Sequence, residues 1–217
     1  MTTIAVVDYD MGNLHSACKG LENAGAITHV TDSAKELERA DAIVLPGVGS
    51  FDPAIQHLRV RDLIQPLKEA IVSGKPFLGI CLGLQILFEG SEEGNEPGLG
   101  IVPGMVRRFR HEPGITIPHM GWNQLDLTQP DLALWQNLPT QPWVYFVHSY
   151  YADPADPQIT AATITHGSQT VTAAIARDNL MATQFHPEKS SAAGLQILSN
   201  FVTLVKSQQL AGASRTG

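Results

Sequence analysis

Cysteine is scarce. The 217 residues hold only Cys18 and Cys81, which excludes a disulfide framework and fits a reduced compartment. No CxxC pair occurs, so the common zinc-site pattern is missing too. Positive charge is in the minority: 14 Lys and Arg stand against 21 Asp and Glu, a net charge of -7. No Lys/Arg-rich block is present, which argues against a nucleic-acid partner. No apolar run is long enough to span a bilayer. The N-terminus opens directly as a strand, without the charged, then apolar, then small-residue order of a signal peptide. A cytoplasmic protein is expected, with no membrane partner. Nothing in the chain asks for a cofactor or a metal, and no internal repeat appears.

What is present is a 43% hydrophobic content, enough for a substantial core in one domain. That domain is expected over residues 1–206, with 207–217 as a frayed tail. Short apolar runs at 3–8, 26–30, 42–45 and 76–80 read as strands. Between them lie a helical pattern with Leu14, Ala17, Cys18 and Leu21 on one face and Gly25 as its stop, a short helix through Arg39 capped by Asp32-Ser33, and a helix over 53–73. Pro53 suits a first turn of that helix, and Pro66 is expected to break or kink it. Strand and helix in alternation imply parallel pairing through right-handed crossovers, with helices on both faces. The second half differs. Residues 91–124 are rich in Gly and Pro, 143–148 and 180–185 read as strands, and 161–165 with 170–176 flank HisGlySerGln as a hairpin. Residues 191–206 form a closing helix. The fold class is α/β: an open, mostly parallel, flavodoxin-like sheet with antiparallel strands in its C-terminal half.

Ligands of such sheets bind beyond the carboxyl ends of the strands. Three features fall at such ends: PGVGS at 46–50, Cys81 and HisProGlu at 186–188. Gly79-Ile80-Cys81-Leu82-Gly83 has the form of a nucleophile elbow with Cys in place of Ser. The glycines permit a sharp strand-to-helix turn. The thiol would meet a helix N-terminus that favours thiolate, with the Leu82 N–H as an oxyanion donor. His186 is placed to carry a proton and Glu188 to orient it, both side chains leaving one side of an extended segment. Gly47-Val48-Gly49 could turn a second N–H inward. It could instead cradle a phosphate, but the lysine of a P-loop is missing. Taken singly, Cys81 reads as a small core residue and His186 as one of eight histidines; together with the glycines they read as a site. Cys18 belongs to a core face, and Trp122, Trp135 and Trp143 to packing.

PGVGSF, GICLGLQILF and QFHPEKS, in that order, resemble the class I (triad-type) glutamine amidotransferases over about residues 3–206. Within that class, DYDMGNLHS at 8–16, IPHMGWN at 117–123 and YFVHSYY at 145–151 are similar to the glutaminase subunits of imidazole glycerol phosphate synthase. The resemblance implies glutamine hydrolysis to glutamate and ammonia, with Cys81, His186 and Glu188 as the catalytic set and a glutamyl thioester on the sulfur. It implies an oxyanion hole from Leu82 and Val48, the latter after a peptide rearrangement, and a glutamine pocket using Gly49, Gln85, His148, Ser149 and Tyr150.

It also implies a partner, a (β/α)₈-barrel cyclase. Ammonia would pass through that barrel to a phosphoribulosyl-formimino-carboxamide nucleotide, giving imidazole glycerol phosphate and an aminoimidazole carboxamide ribotide in histidine biosynthesis. Asn13, Met120, Trp122, Asn123 and Lys189 match the interface region, which takes Trp122 out of the packing group. The chain departs at Asp10, where the family often has Gly, and at Gln124, where an acid is frequent. The alternatives are the glutaminase subunit of another amidotransferase, a Cys peptidase or deglycase on a related elbow, and a non-enzymatic interaction subunit. Peptidases and deglycases of that kind usually carry His directly after the nucleophile, where this chain has Leu82.

Overall fold

Thr3–Val7 is the first strand, β1, and its alternate side chains go to opposite faces: Ile4 and Val6 enter one buried cluster, Ala5 and Val7 another. That two-sided burial is what a parallel strand covered by helices requires. The computed structural model describes residues 2–213. After β1 come α1 (Leu14–Asn23), β2 (Ile27–Thr31), α2 (Ala34–Arg39), β3 (Ala42–Gly47), α3 (Phe51–Val60), α4 (Ile64–Val72), β4 (Phe77–Cys81) and α5 (Leu82–Gln85). The second half runs β5 (Gly90–Ser91), β6 (Gly104–Arg108), β7 (His119–Gln124), β8 (Asp126–Leu127), β9 (Trp143–His148), β10 (Tyr150–Pro154), β11 (Thr160–His166), β12 (Gln169–Arg177), β13 (Leu180–Thr183) and α6 (Ser191–Ala213).

The main sheet has eleven strands, in the order β2-β1-β3-β4-β13-β12-β10-β6-β5, with β11 and β8 branching from β12. From β2 to β13 all neighbours are parallel. The turn to antiparallel pairing comes at β12, which joins β11 as the expected hairpin. One cluster packs α1 and α6 on one face through Cys18, Leu21, Leu198 and Phe201. The other packs α2, α3 and α4 on the opposite face through Leu37, Ile55, Leu58 and Leu67. A separate two-stranded sheet, β7 with β9, stands beside the main one.

Three expectations need correction. The helix over 53–73 is two helices, and the break is at residues 61–63, where Asp62 has φ 54°. Pro66 instead sits in the first turn of α4, where its missing N–H has no intrahelical acceptor to lose. Asp32 and Ser33 make no side-chain cap on α2; the Ser33 amide donates to Thr31 Oγ1 at 2.9 Å. The run after Cys81 is a single helical turn. At the far end α6 continues through Ala213, and Thr2 Oγ1 donates to Gln209 Oε1 at 2.9 Å. Residues 214–217 lie outside the described residues. Among the described residues no helix is long and apolar enough to cross a membrane.

Candidate active site

The carboxyl ends of β3, β4 and β13 lie side by side, with Gly47 in register with Cys81 and Thr183 with Ile80. The chain ends β4 at Cys81 with φ 55° and ψ -108°, a conformation that L-residues seldom adopt. The flanking glycines explain how it is held. A Cβ on Gly83 would overlap the Leu45 carbonyl, and one on Gly79 would lie 2.7 Å from the Gly83 oxygen. The turn therefore packs backbone on backbone. Because α5 is one turn long, its dipole gives the sulfur less than a full helix would. Leu82 still opens that turn, so its N–H lacks an intrahelical acceptor.

Three residues beyond the end of β13 the chain reaches His186 through Gln184 and Phe185, all three buried. Pro187–Lys189 is a 3-10 turn, not the extended segment expected, and the tight turn carries Glu188 back to the imidazole. His186 Nδ1 lies 2.8 Å from Glu188 Oε1, with each side chain only 2% exposed. The carboxylate accepts, so Nδ1 carries the hydrogen and Nε2 is left for the cleft. Nε2 has no hydrogen-bond partner. Burial works against charging this ring, but the Cys81 sulfur and the Glu188 carboxylate overcome it and raise its pKa to about 9. The loop is fastened to β9: the His186 amide donates to Tyr145 O at 3.0 Å, and the Tyr145 amide to Ser190 Oγ at 2.9 Å. Ser190 Oγ donates in turn to His186 O at 2.6 Å.

Gln184 has no chemical signature in sequence, yet its Nε2 donates to Cys81 Sγ at 3.7 Å. Its Oε1 accepts from Gln85 Nε2 at 3.1 Å, and Gln85 also donates to Tyr150 O at 3.1 Å. Gln85 thus borders the cleft while its amide nitrogen is already committed. The cleft measures about 280 Å³ and is lined by Val48, Gly49, Cys81, Leu82, Gln85, His148, Ser149, Tyr150 and His186, with Glu93, Pro118 and Val147 besides. All five expected substrate residues are on its wall. Glu93 and Pro118 went unforeseen, because a lone Glu and a lone Pro in a Gly/Pro-rich stretch carry no pattern. Glu93 is the acid of the wall, and its Oε2 accepts the Phe51 amide at 2.8 Å.

Val48 is on the wall, but its N–H is not aimed into the cleft: it donates to Met11 O at 2.6 Å. Gly49, at φ 100°, follows it in a conformation open to glycine. His148, on that wall, pairs with His119 across β9 and β7. His148 Nδ1 donates to Tyr150 O at 2.8 Å, so its Nε2 accepts from His119 Nδ1 at 3.1 Å. Burial holds His148 down to about 3 and His119 down to about 4; both rings are neutral. Among the described residues no group of His, Cys, Asp and Glu is arranged to hold a metal ion.

The expected interface residues fall into two sets. Met120, Trp122 and Lys189 are exposed, as is Trp143 next to Trp122. Asn13 is half-buried and donates through Nδ2 to Glu188 Oε1 at 3.1 Å. Asn123 turns to Thr165 O at 3.0 Å. Asp10 shows why glycine suits its position: φ is 61°. Its carboxylate pairs with Arg61 and lies 3.4 Å from His57 Nδ1.

Residues 5–205 match the family described as glutamine amidotransferase class-I, so the chain belongs to that class. Solved structures agree on the fold. PurLQS from Thermotoga maritima superposes with a TM-score of 0.74 at 19% identity, over 94% of this chain and 99% of that one. The glutaminase domain of CTPS from Trypanosoma brucei does so with 0.63 at 16%, over 94% of each. Within the class the likeness is much closer. Imidazole glycerol phosphate synthase subunit HisH of Gloeothece citriformis is 73% identical over 97% of this chain and 100% of its own. The subunit of the same name from Trichodesmium erythraeum is 70% identical over 99% and 100%. The chain belongs to the HisH family of glutamine-hydrolysing subunits of imidazole glycerol phosphate synthase.

Proposed function

We propose that the chain releases ammonia from glutamine by a Cys-His-Glu mechanism and delivers it to a barrel-shaped cyclase subunit in the cytoplasm, for histidine biosynthesis. Cys81 Sγ attacks the side-chain amide carbon after its proton passes to His186 Nε2. The carbonyl oxygen becomes an oxyanion held by the Leu82 N–H. When the carbon–nitrogen bond breaks, His186 returns the proton to the nitrogen and ammonia leaves, with a glutamyl thioester on the sulfur. A water then gives its proton to His186 and attacks the thioester, and glutamate departs as the thiol is restored. Glu188 keeps the proton on Nδ1 and steadies the imidazolium. Glu93 suits the ammonium group of glutamine, and the Gly49 and Ser149-Tyr150 segments suit its carboxylate.

The observation that carries this reading is the His186–Glu188 pair at 2.8 Å, in a ring that lines the same cleft as Cys81 and leaves its Nε2 unpaired. Partner gating is supported by Val48, whose N–H is held by Met11 O. The 47–48 peptide has to invert before a second donor faces the oxyanion. Exposed Met120 and Trp122 on β7, paired with the β9 strand that fastens His186, suit a docking face. Free ammonia in neutral water is mostly ammonium and no nucleophile, so a sealed joint with the cyclase keeps it reactive. The test is a steady-state ammonia assay on the chain alone and with the cyclase and its nucleotide. Low activity alone and a marked rise in the complex are expected, with Cys81→Ala inactive in both. Ammonia release by Cys81→Ala would overturn the mechanism, and an equal rate with and without the partner would remove the gating.

A further inference from the structure

Tyr9 is fully buried, and its hydroxyl has no hydrogen-bond partner. A buried polar group left unpaired is costly and calls for an explanation. Its position supplies one. Val6 of β1 is in register with Val44 of β3, so Tyr9 and Gly47, each three residues further on, stand side by side. A Cβ on Gly47 would overlap the Tyr9 hydroxyl and lie 3.0 Å from Leu82 Cβ. The phenol therefore occupies the space that the missing Gly47 side chain leaves, between the 47–48 peptide and the nucleophile turn. Burial keeps the Tyr9 pKa well above its ordinary value, and the nearby Cys81 adds to this. The hydroxyl therefore remains a donor at any working pH.

The N–H of Val48 now points to Met11, on the segment that leads out of β1. In a trans peptide the carbonyl points opposite to the N–H. Inverting the 47–48 peptide brings the N–H into the cleft and swings the Gly47 carbonyl round to the β1 side, where it loses its former surroundings and needs a donor. We infer that the Tyr9 hydroxyl is that donor: a positioning group, unpaired in the resting peptide orientation and paired with the Gly47 carbonyl in the inverted one, which stabilises the orientation that completes the oxyanion hole. This inference rests on the proposed glutaminase mechanism and deepens its gating step.

Tyr9→Phe removes one oxygen and, with it, the unpaired group. In the complex with the cyclase and its nucleotide, kcat for glutamine hydrolysis is expected to fall about five- to tenfold, the worth of one ordinary hydrogen bond. KM for glutamine should hold, because Tyr9 does not reach the cleft wall. Alkylation of Cys81 by iodoacetamide forms no oxyanion and should keep its wild-type rate, and the melting temperature should be equal or higher. A Tyr9→Phe complex with wild-type kcat would overturn the inference. So would a parallel fall in kcat, alkylation rate and melting temperature, which would make Tyr9 a packing residue. A wild-type complex that releases no ammonia would remove the underlying mechanism as well, so the two failures are told apart.

Discussion

Asn13 Nδ2 donates to Glu188 Oε1 at 3.1 Å, on the same oxygen that accepts His186 Nδ1 at 2.8 Å, while Glu188 Oε2 is buried without a partner. The N-cap residue of α1 thereby holds the carboxylate that holds the imidazole. Asn13 stands in the DYDMGNLHS segment and was expected at the partner face; its amide has a task behind the catalytic set.

Asn13→Ala should therefore weaken turnover more than binding. A hydrogen bond to a charged group contributes about 1.5–3 kcal/mol. With part of that lost from the transition state, kcat should fall about tenfold while KM for glutamine changes little. Glutaminase kinetics on the purified complex decide it. A variant that loses affinity for the cyclase and keeps its kcat would return Asn13 to the interface alone.

Glu188→Gln tests the pair itself. A neutral amide cannot stabilise imidazolium, so kcat should drop by about 10²–10⁴. The stability signature has a definite sign. His186 is raised to about 9 in the folded chain, against about 6.5 when unfolded. Its contribution is thus complete below about pH 6.5 and disappears as pH rises through about 9. Glu188→Gln lowers the folded pKa, so its deficit in melting temperature should be widest near pH 6 and narrow toward pH 10. A deficit that is constant across that range would mean that Glu188 does not bear on the imidazole charge.

Much of this site was legible in the chain because its chemistry sits on strand ends, and buried parallel strands such as 42–45 and 76–80 declare themselves as unbroken apolar runs. The same property hid the length of α5. Residues 81–88 are all buried, so no polar face marks a helical period there, and one turn reads like several. Pro66 misled because proline breaks a helix interior but is tolerated in a first turn, and sequence does not say which position it holds. Gln184 escaped for another reason. It donates to a sulfur 103 positions away, and a glutamine beside a strand has no spacing that reveals such a contact. The Val48 orientation was legible only as a permission: two glycines allow a peptide to turn, but the Met11 carbonyl that holds it lies on another strand's exit.

Gly83→Ala should be among the most damaging single changes in the chain. The added methyl would overlap the Leu45 carbonyl, and a backbone oxygen in a central parallel strand cannot move aside as a side chain can. Overpacking of this kind costs about 1–3 kcal/mol, occasionally more, and separating β3 from α5 would also shift Cys81. A fall in urea midpoint and loss of glutaminase activity together are expected. Wild-type stability with wild-type activity would show that the elbow has slack the close packing denies.

The acid limb of the stability curve should belong in large part to the histidine pair. His148 and His119 are held near 3 and 4 by burial; repulsion from His119, His166 and His186 adds to the shift of His148, and repulsion from His166 to that of His119. The His148 bond to Tyr150 O pulls the other way without reversing the shift. Unfolded, both titrate near 6.5, so between about pH 6.5 and 4 the unfolded chain binds more protons and stability falls as pH falls. His148→Asn keeps a donor for Tyr150 O and cannot be protonated. Combined with His119→Asn it should flatten the drop in melting temperature between pH 6.5 and 4.5, whatever it does to stability at pH 7.5. His148 borders the cleft, so KM for glutamine should rise in the same variant, because the smaller side chain changes the shape of the wall. An acid limb as steep as the wild type's would assign that loss to the carboxylates and leave the two rings as plain core residues.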